Sequence, residues 1–191
     1  MKVENLKSNY NKTISDVFLI TPQIYLDSRG FFMESWNQRK FNHAVGKEIT
    51  FKQDNHSKSS KGVLRGLHFQ CNPLAQGKLV RCIKGEIYDV AVDIRRESKT
   101  FLEWVGVLLN SQNHNQLWIP EGFAHGFLTL SHSAEVLYKT TEYWSQKHEK
   151  TLIWNDPKLS IDWLKKINEP KLSPKDLKGE MISNIDEEIF F

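Results

Sequence analysis

LVRCIKGEIYDVAVDIRR, residues 79–96, decides the fold. Along its second half Val90, Val92 and Ile94 fall on one face while Asp89, Ala91 and Asp93 fall on the other, the period of two that marks a β-strand. Lys84-Gly85 interrupts the run as a turn would. Working outward, WVGVLLN (104–110) alternates too, with Val105, Val107 and Leu109 on one face. QLWIP (116–120), GFLTLS (126–131) and AEVLYKTTEYW (134–144) continue the pattern. Turn signals separate them: RES around Glu97, NSQN after Leu109 and PEG at Pro120. Many short strands at near-regular spacing predict a mainly β sandwich or barrel. Helical pattern is confined to the edges. NQRKFNHAVGKE (37–48) is one candidate, and SIDWLKKINEP (160–170) another, with Ser160 as N-cap and Pro170 beyond its end. The closing DEEIFF (186–191) fits a docked strand or a frayed tail equally well.

The chain's 191 residues, 39% hydrophobic and 26% charged, fit a single globular domain spanning 1–191 with a core of its own. No stretch approaches the roughly 18 apolar residues of a membrane-crossing helix. The opening MKVENLKSNY has no apolar run behind its basic residue, so no signal peptide is expected and the cytoplasm is the expected location. The net charge of +3 is spread along the chain. That argues against a nucleic-acid arm or a membrane surface and leaves room for a local site for a phosphorylated ligand. Two cysteines, Cys71 and Cys82, make neither a disulfide framework nor a four-cysteine zinc site. Eleven Phe, six Trp and five Tyr suit a β core or pockets that stack on flat ligands.

Two strings carry chemistry. In GVLRGLHFQ (62–70) an apolar strand holds Arg65, Gly66 and His68. Strict alternation would put Arg65 and His68 on opposite faces. A bulge at Gly66, where glycine inside a strand is itself a bulge signal, would bring both to one face, as an anion site needs. The plain alternative is a core histidine satisfied by a neighbour. The second string, QLWIPEGFAHGFLTLS (116–131), contains Pro120-x-Gly122-x-x-His125, which resembles the second motif of the cupins, barrels of two antiparallel sheets. Metal-binding cupins add a His-x-His pair and a carboxylate, a donor set suited to octahedral or facial coordination. Here that pair reads His68-Phe69-Gln70, so the expectation is a barrel that keeps the pocket without a metal. Taken alone, His125 would pass as a residue capping the Pro-Gly turn.

Together GVLRGLHFQ, QGKLVRCIKGEIYDVAVDIR, WIPEGFAHGF and EVLYKTTEYW closely resemble the dTDP-4-dehydrorhamnose 3,5-epimerase family, from about Val17 to Gly179. The resemblance implies a cupin-type double-stranded β-helix, a jelly-roll barrel with a few short peripheral helices. It also implies a homodimer, no cofactor and a dTDP-sugar substrate. The reaction is epimerisation at carbons 3 and 5 of a 4-keto sugar through an enolate, which needs a base on one face of the ring and an acid on the other. By resemblance His68, in the family's RGLH motif, is the base, and Asp176, in LSPKD, is the carboxylate behind it. Tyr138, in EVLYKTT, is the proton donor. Lys78, in QGKLVR, is the cation at the keto oxygen, where stabilising the enolate should contribute several kcal/mol.

The resemblance gives Arg65 and His125 to the diphosphate and sugar. It gives Gln53 and Asn55, in FKQDNHS, to the nucleotide region; they share strand parity, so both can face one pocket. Arg29 and Glu34, in DSRGFFMESW, and Glu149 and Lys175 are further substrate contacts by the same resemblance. One departure stands out. Where many members have Tyr-Tyr, this chain has Tyr143-Trp144, and the second position commonly stacks on the thymine base. Trp144 offers a larger π-surface and no hydroxyl. Three other readings stand beside this one: an epimerase acting at one position or on another nucleotide-linked 4-keto sugar, a metal-dependent cupin dioxygenase or isomerase, and a non-enzymatic sugar-binding cupin.

Overall fold

The computed structural model describes residues 1–164, 169–185 and 191. In chain order its elements are β1 (Lys2–Lys7), β2 (Thr13–Thr21), β3 (Ile24–Asp27), β4 (Gly30–Met33), α1 (Gln38–Val45), β5 (Gln53–Ser60), β6 (Leu64–Gln70), β7 (Lys78–Lys84), β8 (Glu86–Asp93), β9 (Trp104–Asn110), β10 (Gln116–Ile119), β11 (Phe123–Thr129), β12 (Ser133–Thr140), β13 (Glu149–Thr151) and α2 (Pro174–Leu177). One sheet has the order β1-β2-β10-β7-β12-β5 and the other β13-β6-β11-β8-β9. From β9 onward the chain alternates between the two sheets, and every ladder among the named strands is antiparallel. This is the jelly-roll winding of a cupin-type barrel. No helix among the described residues is long and apolar enough to cross a membrane.

The alternation along β8 shows why the barrel closes. Ile87 and Ala91 point between the sheets, where they meet Ile14, Val80, Leu117, Phe123 and Val136. Val90, Val92 and Ile94 point the other way, into a second core roofed by Leu152, Leu159, Trp163, Ile182 and Ile185 of the C-terminal segment. Both faces of the five-stranded sheet are thus covered. A third cluster lies on the outer face of the six-stranded sheet, where Phe41 and Val45 of α1 pack on Ile20, Leu79 and Trp118. The helix lies within the expected 37–48 and ends at Val45, because both ends are capped. The Asn37 side chain accepts from Lys40 N–H, and Gly46, at φ 70°, closes the C-terminus on the Asn42 carbonyl.

Two expectations need correcting. Ser160 caps no helix: it sits at φ 46°, its hydroxyl donates to the Pro157 carbonyl, and Ile161–Trp163 are not helical. Packing decides there. Trp163 and Leu159 are drawn under the sheet, with the Trp163 indole N–H donating to the Trp154 carbonyl at 2.9 Å. The rest of that candidate helix falls partly on residues 165–168, outside the described residues. The strand expected over 134–144 ends at Thr140, and the chain then turns away carrying Trp144. Four strands precede α1 where the sequence offered no clear period. Of DEEIFF only Phe191 is described; it pairs by backbone with Ile94 and Arg96.

Candidate active site

A cavity of about 390 Å³ opens between the two sheets, lined by β5, β7 and β12 on one side and by β6, β11 and β13 on the other. The bulge expected at Gly66 is present. Across the β6–β11 ladder His68 lies opposite His125 and Arg65 opposite Phe127, three steps along β6 against two along β11. The extra residue brings Arg65 and His68 to the same cavity wall. Gly66 is at φ 122°, and a Cβ there would come within 2.5 Å of Gly126 Cα and 2.7 Å of the His125 carbonyl oxygen. Only glycine allows the two strands this close.

His68 Nε2 lies 2.6 Å from Asp176 Oδ1. Asp176 is 3% exposed and is delivered by α2, whose N-cap Ser173 donates its hydroxyl to Asp176 Oδ2 at 2.7 Å. Gly66 N–H approaches the same carboxylate at 3.3 Å. Burial works to raise the Asp176 pKa, but the hydrogen bonds from His68 and Ser173 outweigh it and hold the carboxyl at about 2. An ionised carboxylate only accepts, so Nε2 carries a hydrogen and Nδ1 is left with its lone pair. Burial lowers the His68 pKa below the ordinary imidazole value, against the pull of Asp176, so the ring is neutral and basic at neutral pH.

Lys78 is 6% exposed, not the solvated strand-start lysine that its position allows. Its ammonium donates to the His68 carbonyl at 3.2 Å, and burial draws its pKa down to about 8. Tyr138, on β12 of the opposite sheet, lines the cavity too, and burial raises its phenol pKa. Gln53 and Asn55 share the wall beside it, with Gln53 Nε2 donating to Asn55 Oδ1 at 2.8 Å. His125 is a strand residue facing the cavity, not a turn cap; its Nε2 lies 2.6 Å from the fully buried Asp89.

Trp144, 54% exposed, stands at the mouth, its N–H bonded to Gln53 Oε1. Lys175 Nζ reaches Glu149 at 2.8 Å. Burial raises the Glu149 pKa, but Lys175, together with a hydrogen bond from the Trp144 side chain, brings it below the usual value. Gln70 holds the loop behind Trp144, donating to the Leu74 and Tyr143 carbonyls and accepting from Ser145 N–H. Among the described residues no three of His, Cys, Asp and Glu gather as a metal's ligands would.

The model of the dTDP-4-dehydrorhamnose 3,5-epimerase family matches residues 11–184. The chain belongs to that family. Among its curated members, the dTDP-4-dehydrorhamnose 3,5-epimerase of Shigella flexneri is 54% identical over 91% of this chain and 94% of its own. Among solved structures, the 3,5-epimerase of Legionella pneumophila in complex with dTDP-4-keto-L-rhamnose is 44% identical, with a TM-score of 0.91 over 99% of this chain and 97% of that one. A 3′-monoepimerase from Streptomyces bikiniensis in complex with dTDP-quinovose is more distant in sequence, 30% identical, with a TM-score of 0.83 over 88% and 84%.

Two residues given to the substrate by family resemblance stay outside this chain's cavity. Arg29 lies on the β3–β4 hairpin, its guanidinium paired with Asp27 at 2.5 Å. Glu34 pairs with Lys40 at 2.6 Å and accepts from Asn37. The reason is geometric, because this hairpin pairs with neither main sheet. In the other direction, the sequence reading missed Asp89, Gln76, Ser57, Phe127 and Thr140. Asp89 alone had a signal, being a charge buried in a strand otherwise rich in Val and Ile.

Proposed function

We propose that this chain is an isomerase that epimerises carbons 3 and 5 of dTDP-4-dehydro-6-deoxy-D-glucose to give dTDP-4-dehydro-L-rhamnose in dTDP-L-rhamnose biosynthesis. The observation that carries the mechanism is that His68 and Tyr138 belong to opposite sheets and line one cavity. A sugar ring between them has a base on one face and a phenol on the other. His68 Nδ1 takes the proton from the carbon next to the keto group, and Asp176 stabilises the imidazolium. Lys78 faces the negative charge that develops on the keto oxygen. Tyr138 returns a proton to the opposite face, inverting the carbon. Arg65 and His125 hold the diphosphate and sugar, Gln53 and Asn55 the nucleotide region, and Trp144 stacks on the base beside Glu149 and Lys175.

The reading calls on no metal or cofactor. The support for this is chemical: Gln70, which stands where a metal cupin has histidine, spends its amide on the loop. A homodimer belongs to the same reading. Tyr25, Leu26, Phe31 and Phe32 are 60%, 81%, 55% and 69% exposed on the β3–β4 hairpin, an apolar surface that a second copy would cover. A second copy could also take Arg29 and Glu34 into its own cavity. With a nucleotide-linked substrate, the cytoplasm is the place of action.

Incubation with the 4-keto sugar nucleotide in deuterated water, followed by mass and proton NMR, tests the reading. Deuterium at carbons 3 and 5 with inverted product is expected. Deuterium at one carbon alone would make the chain a single-position epimerase, and none at all would leave only a binding role.

A further inference from the structure

The Trp144 side chain is exposed, yet the backbone on either side of it is tied to a buried side chain. Gln70, 3% exposed at the end of β6, brackets it. Gln70 Nε2 donates to the Tyr143 carbonyl at 3.1 Å and to the Leu74 carbonyl at 2.6 Å, and Oε1 accepts from Ser145 N–H at 2.6 Å. Tyr143 and Ser145 are the residues immediately before and after Trp144. Both ends of the amide are in use, so its orientation is fixed: a flip would set the oxygen against two carbonyls. Two more glutamines complete the clamp. Gln76 Nε2 donates to the Glu142 carbonyl at 2.7 Å, and Gln53 Oε1 accepts from Trp144 N–H at 3.0 Å. All three glutamines line the cavity.

We propose that Gln70 is a positioning residue for the nucleotide: its amide holds the segment on both sides of Trp144, so that the ring waits in place for the base. The inference rests on the reading of Trp144 as the stacking residue. Gln70 and His68 are two residues apart on β6, in regular register with Glu149 and Thr151 of β13, and both face the cavity. One strand thus carries the base that attacks the sugar and the amide that places the ring for the nucleotide. A loop ordered before the ligand arrives does not charge its ordering to the binding step. The role needs donors and an acceptor on one short side chain. A carboxylate at position 70 would offer no hydrogen to either carbonyl.

A double-mutant cycle on dTDP affinity, read by calorimetry, tests this. Gln70→Met keeps the length of the side chain and deletes its donors. With Trp144 present it should weaken dTDP binding by about five- to tenfold, and in the Trp144→Ala background by less than about twofold, since the ring it positions is gone. In turnover the loss should fall on KM more than on kcat. An equal loss in both backgrounds overturns the proposal, because Gln70 would then act on the cavity at large, and so does an unchanged affinity when Trp144 is present. Should Gln70→Met fail to fold, Gln70→Asn keeps a buried amide one methylene too short to span both carbonyls, and the same two outcomes decide. The two readings fail separately: a Trp144→Ala variant that binds dTDP like wild type sinks the stacking reading, whereas a weakened Trp144→Ala beside an undiminished Gln70→Met sinks only this one.

Discussion

His68 and His125 stand directly opposite each other in the β6–β11 ladder, and each is tied through Nε2 to a buried carboxylate at 2.6 Å. The two carboxylates come from different places. Asp176 rides on a four-residue helix near the C-terminus, and Asp89 is built into β8. Both rings leave Nδ1 unengaged by their carboxylates. The cavity therefore presents two oriented imidazoles on one wall, with Lys78 and Tyr138 reaching it from the opposite sheet.

The pH dependence of the rate follows from this wall. His68 acts as a base only when neutral, so activity rises with pH as it loses its proton. Burial lowers its pKa, which puts the acid limb below the ordinary value of 6.5. Lys78 acts as a cation, so activity falls as it deprotonates, with a basic limb near 8. The kcat/KM profile should be a bell between these limits. An acid limb above 6.5 would contradict the neutral, buried His68.

Gly66→Ala tests the bulge. The new methyl would meet Gly126 Cα at 2.5 Å in a backbone conformation, φ 122°, that L-residues avoid. Strain and overpacking together should cost about 2–5 kcal/mol in chemical denaturation. Because Arg65 and His68 share a wall only through this bulge, any folded fraction should lose activity as well. A variant as stable and as active as wild type would show that the ladder accommodates the methyl.

How far the sequence alone reveals this site depends on what each residue's neighbours are. The β barrel was legible because Val90, Val92 and Ile94 alternate with Asp89, Ala91 and Asp93, and the apolar set is buried against the second core. The bulge was legible because a glycine inside a strand has few other uses. Asp176 was not, since its place beside His68 depends on where the C-terminal segment crosses the outer face of the sheet. Family resemblance supplied it, although Ser173-Pro174-Lys175-Asp176 is a readable helix start. Asp89 was visible only as an acidic residue in a run otherwise rich in Val and Ile, and its full burial could not be read there. The end of β12 at Thr140 was hidden because Thr141–Trp144 keeps a strand-like composition while Gln53 and Gln70 pull the loop elsewhere.

Asp176 should make stability depend on pH in one direction. Its folded pKa of about 2 lies below the ordinary 3.8, so it stabilises the fold fully above the ordinary value and loses that contribution as pH falls toward 2. A shift of this size corresponds to about 2 kcal/mol. Asp176→Asn should therefore be less stable than wild type by about that much at neutral pH, with the difference closing in acid. A stability gap that is constant from neutral to strongly acidic solution would mean that the carboxylate's charge contributes nothing.

Trp144 should separate stacking from anchoring. Trp144→Ala is expected to weaken dTDP binding by about 1–3 kcal/mol, with little change in kcat, because the mouth is remote from the reacting carbons. Trp144→Phe keeps a stacking face and removes the indole N–H, which helps hold the Glu149 pKa down. It should retain most of the affinity. Calorimetry with dTDP distinguishes the cases, and equal losses in the two variants would assign the affinity to the Glu149 contact instead of the ring.

Tyr138→Phe isolates the acid. Tyr138 packs among Val136 and its barrel neighbours, so the phenyl ring keeps that packing and only the hydroxyl is lost. His68 can still remove a proton and Lys78 still faces the enolate, and the carbanion can recover a proton from His68 on the original face. Deuterium should therefore continue to enter the substrate at a reduced rate. Inverted product should fall by about 10²-fold or more, the scale of a lost general acid. Mass spectrometry of recovered substrate and proton NMR of product read the two quantities in one reaction. If wash-in and inversion fall together, Tyr138 acts before the enolate forms or only in binding, and the acid on the second face must be sought elsewhere on the cavity wall.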